Sequence, residues 1–132
     1  MKAFIRTQPK TAEDIKSSKD CMIRSVTLAT GSTYQDVHRI MYGHGWRASS
    51  RNSKDWEKHI TNTLEDLGFK WKRVSFPGTK GQSRMTAKTM THEGTWILRS
   101  AKHVAAFKEG NLLDTWDCSD KCVYFAWFIW QE

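Results

Sequence analysis

The chain has 132 residues, 21 Lys and Arg against 14 Asp and Glu for a formal charge of +7, and 12% aromatic content that includes seven tryptophans. A chain of this size and aromaticity can bury a core of its own, which excludes disorder and removes the need for a metal or disulfide staple. The positive balance favours an acidic partner, whether nucleic acid, an acidic protein surface or an anionic substrate, but the charges are scattered rather than clustered.

The opening stretch, MKAFIRTQPKTAEDIK, holds no apolar run long enough for a signal peptide, and no segment approaches ~20 apolar residues. The expectation is a protein without membrane association, in the cytoplasm, with its three cysteines reduced. One domain spans residues 1–132, with residues 1–19 as an extended lead-in. A first helix is predicted from Asp20 or Cys21, because Ser17, Ser18 and Asp20 are capping types and Met22, Ile23, Val26 and Ala29 follow at helical spacing up to Gly31. Ser32 and Gln35 match a capping box that opens a second helix to about Met41. Trp56, Ile60, Leu64 and Leu67 make the stripe of a third helix over 54–67, with Gly68 beyond its end.

After Gly68 the period becomes two, and Phe69, Trp71 and Arg73 alternate with Lys70, Lys72 and Val74 as in a strand with one basic face. Thr86 to His92 reads as a short helix, TWILR at 95–99 as a strand, and the apolar CVYFAWFIW at 122–130 as a central strand. Helices first and strands after give an α+β fold, N-terminal helices packed on a C-terminal antiparallel sheet.

The stretch KHVAAFKEGNLLDTWD, residues 102–117, reads as a β-hairpin turning at Glu109-Gly110. A two-residue turn sets Lys108 opposite Asn111 and His103 opposite Trp116, with Asp114 diagonal to His103 on the same face. A three-residue loop sets Asp117 opposite His103 instead. Either register brings a carboxylate to the imidazole. A thiol attacks only as thiolate, a form favoured at a helix N-terminus or beside an imidazolium. Cys21 has the first feature, and His103 supplies the second if helix one packs end-on to the hairpin. Asp114 or Asp117 then holds the imidazole tautomer, and the Cys21 backbone N–H serves an oxyanion site.

DCMIRSVTLATGSTYQDV followed far downstream by KHVAAFKEGNLLDTWD resembles the papain-like cysteine peptidases, above all small bacterial and phage relatives of bacteriocin-processing peptidases and of transglutaminase-like proteins. Those families pair an Asp-Cys at the start of the first helix with a histidine, strand, Gly turn, strand, Asp hairpin. The resemblance implies Cys21 as nucleophile, His103 as general base and Asp114 as orienting acid, with Asp117 suiting a longer hairpin. It implies a cysteine hydrolase or acyltransferase on a peptide or amide bond, without a cofactor or metal, encoded by a phage or mobile element and acting in the host cytoplasm. The chain departs from the pattern upstream of the cysteine, where the peptidases carry an oxyanion glutamine and this sequence has Ile15, Lys16, Ser17 and Ser18. Ser17 and Ser18 are the candidate replacements.

The departure, with the positive charge, leaves an alternative: the fold kept as a binding or inhibitor module for a host protein or nucleic acid. Lys70, Trp71, Lys72 and Arg73, preceded by Trp46, Arg47 and Arg51, interleave cations with aromatics as single-strand nucleic-acid sites do. The simpler account is a half-buried strand with a solvated basic face, so a protein or peptide partner is favoured over nucleic acid. Cys118 and Cys122 with His92 or His103 have poor spacing for zinc, and His38 and His44 are read as surface residues.

Overall fold

In the computed structural model, residues 1–10, 19–49, 53–76, 78 and 84–132 are described. Among them lie helices α1 (Cys21–Thr30), α2 (Tyr34–Gly43) and α3 (Ser53–Asp66). The strands are β1 (Ala3–Arg6), β2 (Lys70–Ser75), β3 (Thr95–Ser100), β4 (His103–Lys108), β5 (Asn111–Asp114) and β6 (Phe125–Trp130). They form one sheet in the order β1-β5-β4-β3-β6-β2, antiparallel at every junction except β1 with β5.

The α+β class holds, and from Cys21 onward helices precede strands; three expectations need correction. The sheet is mixed, because Ala3–Arg6 pairs in parallel with Asn111–Asp114; part of the expected lead-in is an edge strand beside the hairpin. The second helix is capped by Thr33, whose hydroxyl accepts from the Asp36 N–H, so the cap sits one residue after Ser32. Residues 86–92 are not a helix. They form turns, with Thr89 N–H on Thr86 O and Met90 N–H on Ala87 O, and are tied to the 118–123 segment by Lys88 N–H donating to Ser119 O and by the Thr86–Cys122 bridge.

Strand alternation gives the sheet two buried faces. Ile97, Val104, Ala106, Trp127 and Ile129 meet the helices, where Met22, Ile23, Val26, Val37, Met41, Ile60 and Leu64 supply the apolar stripes that the spacing predicted. Trp96, Leu98, Ala105, Phe107, Leu112 and Ala126 face the other way, covered by Ala87, Met90, Cys118 and Val123 from the two loops. This double coverage explains why β6 reads as apolar on both faces. At Gly94, φ is +87° and an added Cβ would meet Phe128 Cε1 at 2.9 Å, so the backbone there has room for no side chain.

Candidate active site

The turn between β4 and β5 decides which carboxylate meets the histidine. Glu109 and Gly110 both have positive φ, 50° and 85°, the signature of a two-residue type I′ hairpin turn. Lys108 stands opposite Asn111 and Phe107 opposite Leu112. Continuing that register sets His103 against Trp116, and their ring centroids are 5.0 Å apart. Asp114 is the diagonal neighbour, with His103 Nε2 and Asp114 Oδ2 2.6 Å apart. Asp117, the alternative, does not reach the imidazole: it is exposed, and its Oδ1 accepts from the Ser119 N–H at 3.0 Å.

Asp114 is 4% exposed and fully engaged. Besides His103, it accepts from the Thr115 N–H at 2.7 Å and the Cys118 thiol at 3.4 Å, and its Oδ1 lies 3.8 Å from the Arg24 guanidinium. Burial disfavours its charge, but the His103 hydrogen bond and charge, with Thr115 and Arg24, hold its carboxyl below the usual range. His103 is the mirror case. Burial opposes its charge, yet Asp114, Cys118 and Cys21 outweigh that and push its pKa up to about 11. The imidazole is therefore a cation at neutral pH. Burial raises the Cys118 thiol, the hydrogen bond to His103 notwithstanding, so Cys118 is a neutral donor here.

Cys21 is the first residue of α1, half-buried; it lines the same cleft as His103 and is among the groups that raise the imidazole's pKa. The position of α1 is set by the residue before it. Asp20 makes no side-chain cap; its fully buried carboxylate instead takes Arg24 one turn on, Lys10 at 3.1 Å and the Tyr34 hydroxyl at 2.7 Å. Arg24 then spans from Asp20 to Asp114, so one buried guanidinium ties the cysteine-bearing helix to the histidine's own partner. Among the described residues its Nε has no hydrogen-bond partner.

Cys21 and His103 open onto a cleft of about 560 Å³. Trp46, Trp56 and Trp116 wall it, and Lys19, Arg24, Arg47, Arg99 and Lys102 line it with positive charge. The tight turn before β4, with Lys102 at φ 57°, brings Lys102 to the rim one residue before His103.

The other sequence-predicted residues fall elsewhere. Ser17, Ser18 and Arg51 lie outside the described residues. The expected basic surface is not one surface: Trp46 and Arg47 line the Cys21 cleft, whereas Lys70 and Trp71 line a separate hollow with Phe69 and Trp130. Trp46 is buried, which makes it a wall rather than an exposed stacking platform. Arg73 is committed to Glu57 at 3.0 Å and to the face of Phe125, and Trp71 Nε1 donates to Glu65, leaving Lys70 and Lys72 as the strand's solvated cations. His38 is packed between the Tyr34 and Tyr42 rings, while His44 is exposed and bonded to Asp66 at 2.6 Å.

Among the described residues, His103, Asp114 and Cys118 alone bring potential metal-ligand atoms together, within 4.8 Å of one another. Cys122 and His92, considered with them from the sequence, are not part of that cluster. Two ligands of a tetrahedral zinc with bonds of ~2.0–2.2 Å stand more than ~3 Å apart. The 2.6 Å His103–Asp114 bond is a hydrogen bond instead, and a metal would have to break it.

Sequence reasoning missed Arg24, Arg99 and Trp56 at this site, and it weighed Cys118 only as a zinc ligand. Asp20 and Arg24 at i,i+4 were a readable pair. Trp116 followed from the two-residue turn, which sets it opposite His103. No family model, curated protein or solved structure matches this chain. None of the described helices is long and apolar enough to cross a membrane.

Proposed function

We propose that the chain is a cysteine hydrolase or acyltransferase of papain-like type, acting on a peptide or amide bond through Cys21, His103 and Asp114. The observation that carries this reading is the position of His103: bonded to a buried carboxylate and lining one cleft together with Cys21. An imidazolium beside a thiol at a helix N-terminus favours the thiolate. In the first step the Cys21 sulfur attacks the carbonyl carbon, a C–S bond forms and the carbonyl π pair moves to oxygen. The first-turn N–H groups of α1, which the Asp20 side chain does not cap, are the donors available to that developing charge. Collapse breaks the C–N bond, and His103 gives its proton to the departing amine. Water or an acceptor amine then attacks the thioester carbonyl while His103 takes a proton back, and collapse breaks the C–S bond and releases Cys21 as its thiolate. Asp114 keeps the ring oriented and stabilises its cation throughout.

A thiol-directed acyl probe tests this. It should label Cys21 and leave a folded Cys21→Ala chain unlabelled at that position. Equal labelling at buried Cys118 or exposed Cys122 would remove the assignment.

A further inference from the structure

We propose that the substrate is an acidic peptide, whose carboxylate beside the bond attacked by Cys21 is received by Arg99. The inference rests on the reading of Cys21 as nucleophile and adds what the cleft selects. Arg99 is 9% exposed and lines the cleft that Cys21 and His103 open onto. Its Nη1 donates to the Ser100 and His103 carbonyls, and its guanidinium lies 4.6 Å from the centre of the Trp56 ring. Among the described residues it forms no ion pair. Burying a cation carries a desolvation penalty of several kcal/mol, which carbonyls and a ring face offset only in part. Arg99 and Cys21 line the same cleft, which puts the guanidinium on the nucleophile's side of the sheet opening.

The rest of the lining points the same way. No carboxylate lines the cleft among the described residues. Arg24 is balanced by Asp20 and Asp114, and Arg47 lies 3.5 Å over the Tyr42 ring with its Nη1 on backbone carbonyls. Arg99 is thus the deep cation that lacks an anion, set between tryptophan walls that lower the local dielectric. A guanidinium's planar fork matches a carboxylate, and its weak hydration suits a buried position.

Two alkylating reagents that differ by one charge separate selection from reactivity. In each, the Cys21 sulfur displaces iodide, a C–S bond forming as C–I breaks; iodoacetate carries a carboxylate and iodoacetamide does not. Rates are read by peptide mass spectrometry on the full chain, with exposed Cys122 as internal reference. The iodoacetate-to-iodoacetamide rate ratio should be higher at Cys21 than at Cys122. Arg99→Ala should lower it about tenfold or more, as loss of a hydrogen bond between charged groups implies, with Arg99→Lys intermediate. On the unaltered chain, glutarate should protect Cys21 from iodoacetamide where neutral glutaramide does not. Equal ratios at both cysteines, or equal slowing of both reagents by Arg99→Ala, would overturn the anion site while leaving the nucleophile standing. A Cys21 no faster than Cys122 with either reagent would overturn the nucleophile, and the inference with it.

Discussion

Asp114→Asn removes the charge that holds His103 and Arg24 together, and the size and pH dependence of its effect follow from the geometry. The His103 and Arg24 side chains are 13% and 9% exposed, so both are left as buried cations without Asp114. Breaking a buried pair by deleting one partner costs ~3–5 kcal/mol, and the amide keeps an oxygen for Thr115 or His103, which places the loss at about 3 kcal/mol. At ~4 °C per kcal/mol for a chain of this size, Tm falls by roughly 12 °C. Asp114's carboxyl is depressed, so its contribution is present above the ordinary carboxylate range and lost as pH falls through the folded value. His103 is raised from 6.5 to about 11, so its contribution is complete below 6.5 and fades as pH climbs toward 11. The fading amounts to about 1.4 kcal/mol per pH unit. The stability gap between the unaltered chain and the Asp114→Asn variant should therefore be full near pH ~5.5, still above ~2 kcal/mol at pH ~9, and close only as pH nears 11. Urea unfolding of both chains in a Cys21→Ala background measures it. A gap under ~1 kcal/mol near pH ~5.5, or one that stays flat into alkali, would refute the reasoning.

Other outcomes follow from the same contacts. Cys21→Ser should lower the His103 pKa from about 11 yet leave it above 6.5, because Asp114 and Cys118 still hold the ring; imidazole NMR titration reads this directly. Asp20→Asn strips a fully buried carboxylate from Arg24, Lys10 and Tyr34 and should cost ~3 kcal/mol in denaturant unfolding. Gly94→Ala forces a side chain to φ +87° and into Phe128 at 2.9 Å, a loss of ~1–3 kcal/mol visible as a lowered Tm.

The hairpin was legible because its signals agree: Glu-Gly between two apolar runs demands a tight turn, and a two-residue turn fixes every partner from Lys108–Asn111 back to Asp114. The first helix was legible for a similar reason, with Asp20-Cys21 ahead of a regular apolar stripe ending at Gly31. Arg99 was not. A six-residue strand covered on both faces offers no alternation to say whether its arginine points to solvent, to a ring or into a cleft, and only the packing of Trp56 from α3 decides. The pairing of Ala3–Arg6 with β5 escaped because contacts between the two ends of a chain leave no local pattern. The cap shifted from Ser32 to Thr33 because two adjacent hydroxyls each had an acceptable partner three residues on, Gln35 and Asp36. The basic strand is the half-buried strand with a solvated face that the alternation gave: Arg73 and Trp71 are spent on Glu57 and Glu65, and a second group of cations, not readable as a group in the sequence, lines the Cys21 cleft.

The most direct test is to trap the acyl-enzyme. Exposure of the chain to an activated acyl ester, followed by rapid quench and peptide mass spectrometry, should show one acyl group as a thioester on Cys21. His103→Ala should slow its formation by ~10²–10⁴-fold, the worth of a positioned acid–base group, with the fold unchanged by circular dichroism. Acylation of Cys21 at the same rate with and without His103, or first at exposed Cys122, would contradict the account.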